Sequence, residues 1–455
     1  MRPTRWQRST YVVVGAAVLL LVVAVVAAAA VVASRQTGDE VAVEPAPPPA
    51  TAEPEVVPVS TDATAPTPRG LARALAPVLA DPNLGRFTGR ITDAMTGQEL
   101  WALGAEIPMQ PASTNKLLTA AAALLALDRE DRLTTRVVSD TPGTVVLVGG
   151  GDQTLSAAPR GEESWYRDAA RIVDLADQVR RSGFAVNRVQ VDVSAYTGPT
   201  MAVGWDPLDI DGGDIAPIEP VMLDGGRTQP VSVESRRSKT PALDAGRALA
   251  VALGVDPNTV TVLPRDRSVD GTEIASVQSP PLMQRLRDMM NFSDNVMAES
   301  IGREVAVALK RPASFDGAAR SVLATLDDAD LDTSGARLFD SSGLSVDDRL
   351  TALTLDEIVT AAVGDSEPAL RPLVDLVPIA GGSGTLSNRY LDTAAAGYLR
   401  GKTGSLTGTN TLTGFVTDKS GRVLTFALMS NDAGPTGRTA LDAFAATLRS
   451  CGCAA

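Results

Sequence analysis

The sequence predicts an α+β fold: one antiparallel sheet flanked by helices and built from both ends of its domain, with a second α+β domain inserted in the chain. Three observations carry this reading. Arg86–Gly104 alternates like a hairpin around Thr96-Gly97, and Tyr398–Leu406, Thr411–Thr417 and Val423–Ser430 read as consecutive antiparallel strands near the other end. Helix-prone segments fill the interval between them, which suggests one sheet assembled from both termini. Residues 157–275 differ in character, with short strands and helical pieces and no catalytic spacing. With 455 residues, 44% of them hydrophobic, the chain has room for roughly two to four domains with real cores.

Taken in order, Arg2, Arg5 and Arg8 precede an uncharged run from Tyr11 to Ala33. At 1.5 Å per residue this run is long enough to cross a ~30 Å hydrocarbon layer. The expectation is a cytoplasmic tail (1–10), a transmembrane signal-anchor or a cleaved signal peptide (11–33), and everything later outside the cytoplasm. Residues 34–69, rich in proline, read as a semi-extended linker. A first part of the principal domain is expected at 70–156, the insertion at 157–275 and the second part at 276–455.

Within the first part, Leu71–Leu79 has helical spacing and the hairpin follows. After Pro111, Ser113–Leu127 is helix-prone and apolar on nearly every face beyond its first turn, as a helix in a domain interior must be. Val145–Val148 is a short strand. The insertion carries helices at Trp165–Arg181 and Pro241–Leu253 and strands at Arg188–Val193, Val231–Ser235 and Thr259–Leu263. Two helices, Leu282–Met290 and Val296–Leu309, are joined by Asn291-Phe292-Ser293-Asp294-Asn295, a composition that suits a helix N-cap. A polar loop (Asp340–Thr351), a helix to Val363 and a glycine loop (Ala380–Leu386) precede the closing strands, and Gly437–Arg449 forms the last helix. Cys451 and Cys453, at the extreme C-terminus, are assigned no catalytic role.

Composition excludes several chemistries. There is no histidine, which removes Ser-His-Asp and Cys-His catalysis and His-ligated metals. The base of any enzyme here is therefore Lys, Asp, Glu or Tyr. No acid precedes Asp39, so beyond the first four arginines the chain holds 37 of its 41 basic residues against all 54 acidic ones, a net charge of −17. Phosphate backbones call for the opposite sign, which argues against nucleic acid as a partner. Lysine is scarce: only Lys116, Lys239, Lys310, Lys402 and Lys419 occur, and lysine can lose its proton where arginine effectively cannot.

Ser113 and Lys116 stand at i and i+3 in the first turn of an interior helix, where both side chains leave the same face at the positive end of the dipole. Ser293-Asp294-Asn295 and Lys402-Thr403-Gly404 follow in that order, and the triplet matches the motif set of penicillin-binding proteins and class A β-lactamases. Flanking segments narrow the match. PASTNKLLTAAAALLAL, VGGGDQTL, GWDPLD, IAPIEPVMLD, MNFSDNVMAES, DSSGLSVDDRLT, GGSGTL and RGKTGSLTGTNTLTGFV resemble the D-alanyl-D-alanine carboxypeptidase/endopeptidase family, the class C low-molecular-mass penicillin-binding proteins, over roughly residues 70 to 450. Ser341 stands where that family usually has glycine.

The resemblance implies a serine DD-peptidase/β-lactamase-like fold. It also implies an enzyme that removes the terminal D-alanine of peptidoglycan stem peptides ending in D-Ala-D-Ala, or cuts their cross-links, through an acyl-serine. β-Lactams are its expected covalent inhibitors, the membrane a partner through the N-terminal segment, and no cofactor or metal is expected. Cleaving an amide without histidine leaves Lys116 to activate Ser113, since burial near a second ammonium at Lys402 disfavours its charged form. By resemblance Ser293 relays the proton to the leaving amine and Asn295 binds the substrate amide. Lys402 and Thr403 look like the anchor of the terminal carboxylate. Gly404 lets substrate backbone lie close, and the N–H groups of Ser113 and Ser405 resemble the family's oxyanion hole. The alternatives are a serine β-lactamase or esterase of the same fold, for which no E-x-x-x-N segment stands at a fitting place, and a non-catalytic cell-wall binding or sensor protein.

Overall fold

Near-continuous burial along the closing strands decides the architecture, because it leaves each with two faces to cover. Along Val423–Asn431, Leu424, Phe426 and Leu428 point to one side, and Ala427 and Met429 to the other. A strand apolar on both faces needs helices on both.

The computed structural model describes residues 5–36 and 62–452. The chain divides into two units, residues 1–58 and 59–455. In the first, α1 (Arg5–Gln36) is helical. The second begins with α2 (Pro68–Leu79), the hairpin strands β1 (Arg86–Asp93) and β2 (Glu99–Leu103), and a 3-10 turn at Ala112–Asn115 that runs into α3 (Lys116–Ala126). β3 (Thr134–Thr141), β4 (Thr144–Val148), α4 (Ile172–Ser182), β5 (Arg188–Asp192), the short α5 (Leu208–Gly212), α6 (Pro241–Leu253), β6 (Thr261–Val262) and β7 (Thr272–Gln278) follow. Then come α7 (Leu282–Phe292), α8 (Asn295–Ala308), α9 (Phe315–Asp327), α10 (Ala352–Val363) and the short α11 (Leu373–Leu376). β8 (Leu399–Leu406), β9 (Thr409–Thr417), β10 (Val423–Asn431) and α12 (Gly437–Ser450) close the chain.

The principal sheet runs β2-β1-β10-β9-β8 and is antiparallel throughout, so strands from both ends of the unit do meet. Ile91 of β1 stands opposite Phe426 of β10. One face is covered by α2 and α12, whose Leu71, Leu75, Leu441 and Phe444 pack on Phe426 and Leu428. The other is covered by α3, α7, α8, α9 and α10. α3 is the centre of that layer, buried from Lys116 to Leu124, and its run of four alanines admits close neighbours on every side.

The hairpin turn is locked to the β9–β10 turn by a buried ion pair. Arg422 donates to both Asp93 oxygens, through Nε at 3.0 and 3.1 Å and Nη2 at 2.6 Å. Asp93→Asn leaves that guanidinium buried without its counter-charge and is expected to cost about 3 kcal/mol. The urea midpoint reads this directly; an unchanged midpoint contradicts it.

A second sheet, β6-β5-β4-β3-β7, packs α4 and α6 on its apolar face through Val137, Leu147, Val191, Leu175 and Leu249. It begins at Thr134, so β3 and β4 belong with it, and the expected boundary after residue 156 falls inside its chain. Val231–Ser235 forms no strand; Val231 and Val233 are exposed and no edge accepts them. Trp165–Arg181 is helical only from Ile172, after Asp168 turns the backbone to φ 55°.

The expected membrane span is corrected by the structure. Among the described residues no helix is long and apolar enough to cross a membrane. The single-pass localisation and the membrane as a partner are therefore not upheld. Residues 37–61 of the linker, the first four residues of the tail and Cys453 lie outside the described residues. Cys451 is buried at the end of α12 and disulfide-bonded.

Candidate active site

Pro111 ends the approach to α3, and the next four residues form a 3-10 turn in place of the expected first α-turn. In a 3-10 turn side chains at i and i+3 eclipse one another. Ser113 and Lys116 are therefore brought face to face, and Lys116 Nζ donates to Ser113 Oγ at 3.0 Å. Ala112, just before the serine, is buried at φ 48°, a conformation that costs a non-glycine residue about 1–3 kcal/mol. Packing against β8 and the 340–345 loop holds it there.

The second motif joins two helices. Ser293 terminates α7 at φ 55°, and Asp294 then caps α8 by accepting from Met297 N–H at 3.1 Å. The N-cap reading is thus right for Asp294, and it frees its two neighbours to face the lysines. Asn295 Oδ1 accepts from Lys116 Nζ at 2.6 Å, and Ser293 Oγ accepts from Lys402 Nζ at 2.9 Å. Burial raises Asp294's proton affinity, but Arg237, the Tyr166 hydroxyl and Arg227 outweigh this and hold its carboxyl below the usual range. Tyr166 Oη donates to Asp294 at 2.6 Å.

β8, the edge strand of the principal sheet, carries the third motif. Segment 378–380 bonds to its outer edge, and among the described residues these backbone bonds stop at Gly401. Lys402 is fully buried and also donates to Thr403 C=O at 2.8 Å; Thr403 Oγ1 donates to Thr385 Oγ1 at 2.8 Å. Ser113, Ser293, Asn295, Thr385, Thr403 and Ser405 all line one cleft of about 840 Å³.

Gly404 also has a task within the fold. A Cβ there would stand 2.8 Å from Pro111 O, 2.9 Å from Ser113 N and 2.2 Å from Thr411 Oγ1, so the missing side chain makes room for the serine's own turn. Gly404→Ala is expected to displace that turn and to slow acylation about 100-fold. Stopped-flow acylation of the variant checks this; a wild-type rate contradicts it.

Both lysines are buried away from water. Burial pulls Lys116 down to about 8, against the opposing pull of Asp340, Asp294, Glu299 and Asp348. Lys402 faces no comparable acids, and burial together with the neighbouring Lys116 pushes it well below the usual lysine range. One amine is thus poised near neutrality, and the other lacks a counter-charge that an anion entering the cleft would supply. Among the described residues no group of three or more His, Cys, Asp or Glu is placed to hold a metal ion.

Several contributors had no legible signal in the sequence. Asp214, just after α5, accepts from Asn295 Nδ2 at 2.9 Å through its main-chain carbonyl, which any residue type would supply. Ser342 likewise contributes a carbonyl, 2.8 Å from Lys116 Nζ. Thr385 lies in the GGSGTL segment, noted only as part of a resemblance; the signal was the segment itself.

The D-Ala-D-Ala carboxypeptidase 3 (S13) family model matches residues 71–235 and 230–448 of the chain. A second, the N-terminal domain of Carboxypeptidase Rv3627c-like proteins, matches residues 1–58. The chain is 71% identical to Carboxypeptidase DacB of Mycolicibacterium smegmatis and 60% identical to Carboxypeptidase Rv3627c of Mycobacterium tuberculosis, in each case over 100% of both chains. It shares its fold with the crystal structure of penicillin binding protein 4 (dacB) from Haemophilus influenzae. The TM-score is 0.68 at 22% identity, over 84% of this chain and 98% of that one.

Proposed function

The chain belongs to the D-Ala-D-Ala carboxypeptidase (S13) family and is a serine DD-peptidase, and on that premise we propose that Ser113 is its nucleophile and Lys116 its general base. The single observation that carries this assignment is the 3.0 Å hydrogen bond between Lys116 Nζ and Ser113 Oγ inside the cleft. A neutral Lys116 takes the Ser113 proton as Oγ attacks the penultimate D-alanine carbonyl of a peptidoglycan stem peptide. The N–H groups of Ser113 and Ser405 receive the developing oxyanion, the first where the dipole of the following helix favours negative charge.

Collapse of the tetrahedral adduct breaks the amide C–N bond, and the proton that Lys116 took from Ser113 passes to the leaving amine by way of the Ser293 hydroxyl, whose Oγ is held by Lys402 Nζ at 2.9 Å. Asn295 aligns the substrate amide. The terminal carboxylate docks against Lys402 and Thr403, returning to Lys402 the counter-charge that burial denies it, and substrate backbone lies along the β8 edge left open beyond Gly401. Water then hydrolyses the acyl-serine. β-Lactams, which carry a carboxylate beside a strained amide, acylate Ser113 by the same route.

D-Alanine release from a stem-peptide mimic ending in D-Ala-D-Ala is the test. Stoichiometric release with turnover is expected. A folded protein that releases none contradicts the reading.

A further inference from the structure

The inserted region reaches the site by a route the reaction chemistry does not require. Asp340 is fully buried, and its carboxylate accepts from the N–H groups of Ser342 (3.0 Å), Gly343 (2.6 Å) and Ser345 (2.7 Å). A carboxylate that gathers successive backbone donors folds the chain into a turn around itself. That turn aims the Ser342 carbonyl at Lys116 Nζ, 2.8 Å away. Gly343, at φ +80°, lets the turn lie against the nucleophile: a Cβ there would stand 1.9 Å from Ala112 O and 2.9 Å from Asn115 Cβ.

The fourth donor to Asp340 is Trp205 Nε1, at 2.7 Å, from the inserted region. Trp205 is itself buried, packed edge-on against Phe315 with ring centroids 5.1 Å apart. Beside it, Val203 C=O accepts from Ser345 Oγ at 2.8 Å, so the turn is tied to the insertion at two points. The charged and titratable groups around Lys116 come from three elements. Asp340 and Asp348 lie in the loop, Asp294 and Glu299 at the start of and within α8, and Lys402 on β8. Of the acids, Asp340 exerts the largest pull on the Lys116 proton. Asp348, buried against Asp340, has its carboxyl driven well above the usual range by burial first and by Asp340 second.

We infer that Asp340 is a positioning residue for the lysine base, folding the Ser342 carbonyl onto its amine, and that the inserted region governs this base through the hydrogen bond from Trp205. The inference rests on Lys116 being the base. Without the Asp340 charge, or without the Ser342 carbonyl in place, the ammonium form of Lys116 loses support and the neutral amine persists to lower pH. Acylation then becomes slower at its optimum yet less sensitive to acid. That combination separates positioning from a general loss of structure, which slows the reaction without moving its titration.

The experiment measures kcat/KM for D-alanine release from a stem-peptide mimic across pH, in the full chain and in Asp340→Asn and Trp205→Phe. The expected result for Asp340→Asn is a fall of at least about tenfold at the optimum, with the acid limb displaced about one pH unit downward. Trp205→Phe keeps the ring against Phe315 and loses only the N–H donor; its rate is expected to fall about tenfold, with a smaller downward displacement. If Asp340→Asn fails to fold, Trp205→Phe carries the test alone. Acid limbs that coincide with wild type, whether or not the rates fall, overturn the inference. A wild-type profile without an acid limb overturns the base assignment itself, and this is recognisable before any variant is made.

Discussion

Ser113→Ala abolishes D-alanine release and covalent penicillin labelling together, with a loss in kcat on the order of 10⁴-fold or more. Among the described residues Ser293 is the other cleft hydroxyl bonded to a lysine, Lys402, and an attack transferred to it would appear as labelling retained by the variant. The variant should fold normally. Ser113 is only partly buried, and its hydroxyl stands at the cleft wall, so alanine leaves neither a cavity nor an orphaned charge. Thermal unfolding beside the activity assay separates the two effects. Wild-type stability with no adduct is the expected pair, and an adduct retained by the variant contradicts the assignment.

Lys116→Arg has an effect of similar size, and it tests the proton more sharply than removal of the side chain does. Arginine preserves positive charge among Asp340, Asp294, Glu299 and Asp348 but does not give up its proton, so a loss on the order of 10³-fold is expected. An electrostatic role for the lysine predicts the opposite, a variant near wild-type rate. The same assignment sets a pH dependence. With Lys116 held to about 8, about a tenth of the free enzyme carries the neutral amine at pH 7. The acylation rate constant is therefore expected to climb about tenfold from pH 7 to the plateau above 8, and to fall as pH drops through that value.

Each motif was legible in the sequence because its own members are local, whereas the bonds that join the motifs, Lys116 to Asn295 and Lys402 to Ser293, span 179 and 109 positions. Ser113 and Lys116 are three residues apart, and any helical turn puts them on one face; that this turn is 3-10 only sharpens the contact. Ser293, Asp294 and Asn295 are adjacent, and their cap chemistry was readable for the same reason. The sheet built from both ends was legible because β9 and β10 are strand-length runs rich in apolar and β-branched residues, as strands buried on both faces are. The limit of the insertion was not. Strand β3 pairs with β7, in a register that sets Thr134 against Gln278, and nothing in its local pattern names a partner so far away. Nor does composition announce that Asp214 and Ser342 act through main-chain oxygens. The link from Trp205 to Asp340 spans 135 positions and joins GWDPLD and DSSGLSVDDRLT, whose resemblance to the family was legible but whose contact was not. What sequence patterns carry is the reacting groups, and what the fold adds is the frame that aims them.

The central claim is that Ser113 forms the acyl bond, and intact-protein mass after incubation with penicillin tests it most directly, followed by a peptide map of the product. The account predicts one adduct per chain, carried by the peptide that contains Ser113 and absent from Ser113→Ala. An adduct mapped to Ser293 or to any other residue, or an unmodified chain that remains folded, contradicts it.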